Sequence, residues 1–425
     1  MSGLAIHGGT PVRKRLFPSW PQAGPEEREW IEKVLRSSRW FAGPRGDDPD
    51  SLCSLFAARF ASLHGGRYAQ SVANGSAAIE VALRAIGLKP GEEVIVPSYT
   101  FVSTATSVLM VGGIPVFADI DPSSYCMSPA DAARLVGPDT RAILPVHLGG
   151  QMADMGAISE LAKKRGLAVI EDSAQAIGSF REHRGAGTWG DLGTFSFQAN
   201  KTVTAGEGGL VMSGSPELAA RVTAHTAFGR LAGEKSERSS AFPSQLLSGN
   251  YRMAEVQAAI LLAQLERFGE QDERRRNNAA RLTRTLEGIP GVEHVHADSP
   301  GSRHSYYYYL VRFDPGMFGG VGPAELCRIL NAEGIPFIPG DSRPIYRNPV
   351  FEPAALSNAL PGDVRRKYEE SVRRNPHDCP AAEEACRRTI ILRHQVLLGD
   401  AGDMDDISVA LAKVRENIDV VNRKR

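Results

Sequence analysis

Residues 142–172 read AILPVHLGGQMADMGAISELAKKRGLAVIED, and this stretch is the strongest indication of fold class. Two short apolar runs, Ala142–Val146 and Ala168–Ile170, flank an amphipathic helical pattern from Met155 to Arg165. Parallel strands need a long crossover connection, which is usually a helix, and they are typically short and apolar because both faces are buried. The stretch therefore predicts an α/β fold with a parallel sheet.

The same alternation continues on both sides of this unit. A helical pattern begins near Ser76 and stops at Gly87. Further strands are predicted at Val94–Val96, Pro115–Phe117 and Gly208–Met212. Short buried strands joined by helices indicate one mainly parallel sheet wrapped by helices.

A long helical pattern from Met253 to about Leu286 follows, with Gly269 as the expected kink. A helix of this length is typical of a link between two domains. We therefore expect residues 1–290 to form a large domain and residues 291–425 a smaller C-terminal α/β domain. The smaller domain carries a predicted strand at Tyr306–Phe313.

Composition excludes several classes of protein. The 425 residues are 42% hydrophobic and 23% charged, which is typical of a globular chain and unlike a disordered or collagen-like one. Lys plus Arg and Asp plus Glu both number 49, so the net charge of +0 offers no global attraction for nucleic acid or an anionic membrane. No apolar run reaches the ~18 residues of a membrane span.

The cysteines and the N-terminal segment indicate the cellular compartment. Five scattered cysteines without a CxxC pair argue against a disulfide framework or a zinc site, so we expect no metal and a reducing compartment. The segment Met1–Gly9 lacks a charged region followed by an apolar core, which is the pattern of a secretory signal. We expect a cytoplasmic protein.

Asn74-Gly75-Ser76 directly precedes the helical pattern that starts near Ser76. Glycine lets the backbone approach a ligand closely, and the free N–H groups of a first helical turn attract an anion. Two interpretations stay open from these residues alone: an ordinary helix cap, or a phosphate site.

Glu171-Asp172 closes the strand that begins near Leu167, at the edge where open α/β sheets bind ligands. The segment fits a cap for the residues that follow. It also fits a buried carboxylate that faces a cationic heterocycle and keeps its nitrogen protonated.

Lys201 stands in the segment TFSFQANKTVTAGEGG, residues 194–209, among small, hydroxyl and glycine residues. Such surroundings can desolvate an amine, so that it loses its proton and attacks a carbonyl. Ser196, five residues upstream, is placed to hold an anion nearby. A surface lysine is the alternative for this segment alone.

An anion-binding helix start, an aspartate at a strand end and a lysine in a Gly-rich turn together form the parts of a pyridoxal-phosphate site. With these motifs the chain resembles the DegT/StrS family of aminotransferases, fold-type I pyridoxal-phosphate enzymes that aminate keto-sugars and cyclic ketones. The resemblance covers about residues 16–420. Its motifs are VANGSAAIEVAL (72–83), EVIVPSYTFVSTAT (93–106), PVFADID (115–121), LPVHLGGQMADM (144–155), VIEDSAQAIGS (169–179), TFSFQANKTVTAGEGG (194–209) and GNYRMAEVQAAIL (249–261).

The resemblance implies pyridoxal 5'-phosphate as the cofactor and a role for each matching residue. Lys201 corresponds to the lysine that forms an imine with the cofactor, and Asp172 to the partner of the pyridine nitrogen. The remaining cofactor-binding positions are Gly75, Ser76 and Ser196 around the phosphate, Phe101 stacked on the ring, Gln175 near the phenolate oxygen, and Asn250, which reaches the phosphate of the partner subunit. A homodimer with shared active sites is therefore implied. Glu207 and His147 are assigned structural roles first.

The acceptor is indicated by a branch of the family. Residues 391–395 (ILRHQ) and 343–347 (RPIYR) are similar to the scyllo-inosose aminotransferases and the 3-amino-5-hydroxybenzoate synthases. This likeness implies transfer of an amino group from glutamate or glutamine to the ketone of a cyclic polyol, in aminocyclitol or related antibiotic biosynthesis. The loops at residues 43–50 and 229–248 depart from the family pattern where it shapes the substrate pocket.

Several alternatives stay open. A nucleotide keto-sugar is the other acceptor, and Arg252, Arg343, Arg347 and Arg393 are candidates for holding its diphosphate. A pyridoxal-phosphate dehydratase on the same fold would replace the imine lysine, which is present here. A non-catalytic cofactor-binding partner or sensor protein is the alternative of another class. A nicotinamide oxidoreductase is disfavoured because no GxGxxG follows the first strand.

Overall fold

The structure is a computed structural model that describes residues 3–43, 47–231, 244–296, 301–357, 359–376 and 378–418. Residues 44–46 of the first unusual loop and residues 232–243 of the second therefore lie outside the described residues. Among those described, no helix combines the length and the apolar character that crossing a bilayer requires.

Short strands and longer helices alternate through most of the chain. The strands are β1 (Tyr68–Val72), β2 (Glu93–Pro97), β3 (Ile114–Ala118), β4 (Thr140–Ile143), β5 (Ala168–Asp172), β6 (Phe180–Arg181), β7 (Arg184–Gly185), β8 (Leu192–Ser196), β9 (Gly209–Ser213), β10 (Val292–His294), β11 (Tyr308–Phe313), β12 (Ile338–Pro339) and β13 (Thr389–Arg393). The helices are α1 (Pro25–Ser37), α2 (Leu52–His64), α3 (Gly75–Ala85), α4 (Ser103–Met110), α5 (Pro129–Leu135), α6 (Met155–Arg165), α7 (Pro216–Thr226), α8 (Glu255–Leu286), α9 (Pro323–Ala332), α10 (Gly362–Arg374), α11 (Pro380–Arg388) and α12 (Ala401–Glu416).

Seven strands form the large sheet, in the order β1-β9-β8-β5-β4-β2-β3. The pairs from β8 to β3 are parallel, whereas β9 pairs antiparallel with both β8 and β1. Strands β2, β3, β8 and β9 are buried along their whole length, as expected for a sheet covered by helices on both faces. This fold-type I architecture confirms the predicted fold class.

The C-terminal part contains a smaller antiparallel sheet in the order β10-β11-β13-β12. Its core also takes in the N-terminal segment, since Leu4 packs with residues of α9 and α12. Backbone and side-chain hydrogen bonds from Ala5 and Arg13 to Glu333 fix this segment on the small sheet's side. The predicted domain boundary at residue 290 stays a prediction.

Candidate active site

A cavity of about 680 Å³ opens where the carboxyl ends of β5 and β8 meet the start of α3 and the edge of the small sheet. Parallel strands place their carboxyl ends on one side of the sheet, which is where α/β proteins bind ligands. Seven of the eight predicted site residues line it. They are Gly75, Ser76, Phe101, Asp172, Gln175, Ser196 and Lys201.

The start of α3 forms one wall of the cavity. Asn74 caps the helix, because its side-chain oxygen accepts a hydrogen bond of 2.8 Å from the Ala77 N–H. The N–H groups of Gly75 and Ser76 have no acceptor among the described residues. A Cβ on Gly75 would lie 2.7 Å from Cβ of Ser196, so only glycine lets the two segments meet. The arrangement presents free N–H donors and a hydroxyl to an anion.

Asp172 is a buried carboxylate at the end of β5. The Thr104 hydroxyl donates to one of its oxygens at 2.9 Å, and the Ala174 N–H donates to the other at 3.1 Å. Burial raises the pKa of Asp172 above its ordinary value, although these hydrogen bonds act in the opposite direction. It forms no salt bridge with any described residue, so no cation is in direct contact with the buried carboxylate.

Lys201 lies in the cavity wall next to the small sheet. Burial lowers the pKa of its amine to about 8, and the charge of Asp172 opposes that shift. The amine nitrogen stands 4.4 Å from the ring centroid of Tyr307. An amine with this pKa is substantially neutral near pH 8 and can act as a nucleophile.

The loop before Lys201 is braced from both ends of the chain. The indole N–H of Trp20 donates to the Ala199 carbonyl at 3.1 Å, and Nε2 of His394 lies 2.9 Å from the Asn200 carbonyl oxygen. The Trp20 and His394 rings meet edge to face with centroids 4.6 Å apart. Burial holds the pKa of His394 well below its ordinary value, so its neutral ring donates through Nε2.

Residues 21–411 match the model of the DegT/DnrJ/EryC1/StrS aminotransferase family. The chain belongs to this family. It is an aminotransferase and therefore an enzyme, as the sequence predicted.

Relatives of this aminotransferase match it along nearly its whole length. The L-glutamine:2-deoxy-scyllo-inosose aminotransferase of Streptomyces paromomycinus is 38% identical, with 97% of each chain covered. A protein of Streptoalloteichus tenebrarius is also 38% identical, with 99% of each chain covered, and carries the provisional name L-glutamine:3-amino-2,3-dideoxy-scyllo-inosose aminotransferase. The crystal structure of 3-amino-5-hydroxybenzoic acid (AHBA) synthase is 30% identical, with a TM-score of 0.81, and the match covers 97% of this chain and 100% of that one. These matches confirm the predicted family and branch.

Two further predicted site residues of the aminotransferase have distinct surroundings. The side-chain oxygen of Gln175 accepts a hydrogen bond of 2.7 Å from the Gly149 N–H, which leaves its NH₂ group for the cavity. Phe101 precedes α4 and is 66% exposed although it lines the cavity. An aromatic ring this exposed at a cavity edge has a face available for a ligand or another chain.

Asn250 is the predicted site residue that the structure does not bring to the cavity. It is exposed, and its side-chain oxygen accepts a hydrogen bond of 3.3 Å from the Arg252 N–H. Its predicted role in a partner subunit's site stays a prediction.

His147 and Glu207, to which the sequence assigned structural roles first, have different surroundings. His147 is buried, with Nε2 2.9 Å from a carboxylate oxygen of Glu171 and Nδ1 accepting from the Ala153 N–H. Glu207 lines the cavity.

Some cavity residues were missed by sequence reasoning. Thr104 holds Asp172, and the one available signal was its position in the SYTFVSTAT segment, one helical turn after Thr100. Tyr307 contacts Lys201 from the small sheet, and Asp341 follows β12 into the cavity. Neither carried a local signal, because both come from distant parts of the chain. In the described ranges, no cluster of three or more His, Cys, Asp or Glu side chains is arranged for a metal ion.

Proposed function

We propose that this aminotransferase uses pyridoxal 5'-phosphate to move an amino group from L-glutamine to the ketone of a cyclic polyol. The observation that carries the proposal is one cavity that holds both Lys201, with its lowered pKa, and Asp172, a buried carboxylate without a cation. The names of the full-length relatives support glutamine rather than glutamate as the donor, and an inosose as the acceptor.

The residues present fit the cofactor. The free N–H groups of Gly75 and Ser76 with the Ser196 hydroxyl would hold the phosphate, because helix N-termini favour anions. A protonated pyridine nitrogen would supply the cation that Asp172 lacks. Gln175 would donate its NH₂ group to the phenolate oxygen, and Phe101 would cover the ring.

When bound, pyridoxal phosphate supplies a carbonyl that bonds to amines and a cationic ring that takes up the electrons left by a departing α-proton. The residues of the chain do the rest. The neutral amine of Lys201 is the nucleophile, and once free it accepts the donor's α-proton at Nζ and returns a proton during transfer. Asp172 keeps the ring nitrogen protonated through its charge.

The charges of the cavity support a cyclitol acceptor over a nucleotide keto-sugar. A diphosphate needs cationic partners, and Lys201 is the one cation among the described residues that line the cavity. Arg347 instead contacts Glu383 at 2.6 Å, and the Arg252 guanidinium stacks on Phe228 at 5.2 Å. Arg343 and Arg393 do not line the cavity either.

A homodimer with shared active sites belongs to the same proposal. Exposed aromatic residues surround the segment that contains Asn250: Phe41 bridges to Ala254, Trp40 accepts a hydrogen bond from the Glu255 N–H, and Phe228 adjoins Asn250 through Ala227. Exposed apolar patches of this kind mark interaction surfaces. We also propose a cytoplasmic location, supported by five cysteines that all remain free.

Absorbance of the protein-bound cofactor tests the reaction. Glutamine should deplete the cofactor band, and 2-deoxy-scyllo-inosose or its 3-amino derivative should restore it. Return of the band with nucleotide keto-sugars alone would overturn the acceptor, and a band that no donor changes would support a non-catalytic protein. Borohydride reduction and peptide mapping should label Lys201 and no other lysine.

Subunit mixing tests the shared site. Lys201→Ala and Asn250→Ala are expected to be inactive or weak alone, and to regain activity when mixed, because a mixed dimer contains one intact site. A monomer in sedimentation experiments at working concentration would contradict the dimer.

A further inference from the structure

Asp341 is a carboxylate in the active-site cavity that no step of the proposed reaction uses. It follows β12 of the small sheet and lines the same cavity as Lys201 and Asp172. Asp341 is carried by the segment that follows β12 of the small sheet, whereas Asp172 ends β5 of the large sheet and Lys201 lies in the loop after β8.

The Asp341 carboxylate has no partner of its own. It makes no salt bridge and no side-chain hydrogen bond with any described residue. Asp341 is exposed to solvent in the cavity, yet the protein atoms around its carboxylate raise its pKa to about 6. A partly desolvated carboxylate of this kind in a ligand cavity favours a cationic partner from the ligand.

The charge of Asp341 acts on two uncharged groups, Tyr99 and Cys386. Burial first and the negative charge of Asp341 second raise the pKa of the Tyr99 hydroxyl. The same two causes, in the same order, raise the pKa of the Cys386 thiol to about 12. Neither a neutral phenol nor a neutral thiol supplies a cation to the carboxylate.

The cavity as a whole is electronegative. Asp172, Glu207 and Asp341 line it, and Lys201 is the one described cation there. In the proposed function Asp172 and Lys201 serve the cofactor. Asp341 is thus a negative charge left for the substrate on the small sheet's side of the cavity.

The names of the relatives indicate two kinds of acceptor, and a carboxylate would bind one of them more tightly than the other. An inosose whose ring bears only hydroxyl groups is neutral, whereas a 3-amino derivative bears an ammonium group near neutral pH. Charge-assisted hydrogen bonds are about twice as strong as neutral ones. A hydroxyl donates to a carboxylate as well, but without that charge.

We propose that Asp341 binds an ammonium group on the ring of the acceptor, so that this enzyme selects an amino-bearing cyclic ketone over a neutral polyol ketone. The inference rests on the proposed function and specifies its acceptor. Asp341 acts on acceptor specificity, while the donor half of the reaction does not need it.

The stable aminated products serve as probes in the reverse direction. A 1,3-diaminocyclitol is the product of the amino-bearing ketone, and a monoaminocyclitol is the product of the neutral one. Each is mixed with the holoenzyme, and kcat/KM is taken from the loss of the cofactor band. The wild type should prefer the diamine by about tenfold or more, because a lost charge-assisted contact changes rates by about 10- to 100-fold.

Asp341→Asn should lower kcat/KM for the diamine by about 10- to 100-fold and change the monoamine less than about threefold. Asp341→Glu, which keeps the charge, should retain a preference for the diamine. Equilibrium binding of both amines to the aminated holoenzyme, which cannot react with an amine, should show the same order without turnover.

The outcomes distinguish a failure of the role of Asp341 from a failure of the proposed function. Equal use of the two amines by the wild type would overturn the role of Asp341 and leave the proposed function intact. Failure of glutamine and of both amines to change the cofactor band would defeat the proposed function itself. If Asp341→Asn does not fold, the wild-type preference between the two amines and the order of their binding affinities still test the role of Asp341.

Discussion

Asp172 and Lys201 are displaced from their ordinary protonation behaviour in opposite directions by the same cause. Burial raises the pKa of the carboxyl and lowers the pKa of the amine, and the charge of each partly compensates that of the other. Burial thus disfavours the charged form of each group in the chain alone. A cationic ring beside Asp172 would stabilise its charge, and the reactive form of Lys201 is accessible at mildly alkaline pH.

Replacing Asp172 by asparagine tests the electrostatic role. The amide keeps the shape of the carboxylate: its oxygen can accept from the Ala174 N–H, while its NH₂ group faces the Thr104 hydroxyl, which can turn to accept. Because the amide no longer favours a protonated ring, we expect the rate of the glutamine half-reaction to fall about 100-fold or more, with the cofactor still bound. Single-turnover absorbance measures the rate, and a near-normal rate would refute the role.

The pKa of Lys201 predicts the pH dependence of covalent cofactor attachment. Below a pKa of about 8 the amine is protonated and not nucleophilic. The rate at which apo-protein forms the borohydride-reducible bond should therefore rise about tenfold per pH unit up to about pH 8 and then level off. A profile that rises up to pH 10 would show an ordinary, exposed lysine.

At the scale of elements, the start of α3 and the end of β8 approach too closely for a side chain at position 75. In Gly75→Ala the added Cβ would meet Ser196 at 2.7 Å from its Cβ and 3.0 Å from its hydroxyl oxygen. We expect weaker cofactor binding by about tenfold, because overpacked contacts cost roughly 1–3 kcal/mol. Fluorescence titration of apo-protein with the cofactor measures it.

Gly269→Ala is the matched control. Gly269 lies in α8, is exposed, and has no atom within 4 Å of an added Cβ. Alanine there should leave cofactor affinity unchanged and raise the free energy of unfolding by about 0.5–1 kcal/mol, since glycine is unfavourable inside a helix. Equal loss of affinity in both variants would mean that the effect at position 75 is not steric.

Element positions were largely predictable because apolar runs and helical patterns are local. The run at Ala168–Ile170 lies within β5, and the pattern from Met253 became α8. The predicted kink at Gly269 was wrong, because α8 continues through that residue without a break. The last helix, α12, begins at Ala401 because Asp400 caps it by accepting from the Asp403 N–H.

At the scale of the whole molecule, buried histidines set the response to acid. Burial lowers the pKa of five of them: His64 and His225 to about 4, His294 to about 3, and His304 and His394 well below 6.5. Below pH 6.5 the unfolded chain binds protons that these neutral, buried rings do not. The free energy of unfolding therefore falls as pH drops below 6.5.

Well below pH 6.5, each of these histidines is expected to lower the free energy of unfolding by about 1.4 kcal/mol per pH unit. Urea unfolding at pH 7.5, 6.5 and 5.5, at constant protein concentration, measures it. His294→Phe should reduce the loss between pH 6.5 and 5.5 by about 1 kcal/mol, because the unfolded histidine is already half protonated at pH 6.5, whereas replacing the exposed His7 by glutamine should not change it. Identical slopes in all three proteins would contradict burial as the cause.

The site residues that the sequence did not reveal are those that distant segments bring to the cavity. Lys201 and Asp172 stand in local motifs and were identified from them. Tyr307 and Asp341 reach the cavity from the small sheet, and the loop before Lys201 is held by Trp20 and His394. No local pattern marks such residues, because only the packing of the two sheets brings them together.

The contacts of Trp20 and His394 with the loop before Lys201 have a consequence for biosynthesis. A ribosome makes the chain from its N-terminus, so His394 emerges nearly two hundred residues after the lysine whose loop it braces. Until then the nascent polypeptide has the sheet, the lysine and Trp20, but not the His394 half of the brace. We expect the loop before Lys201 to be held from both sides only when translation is nearly complete.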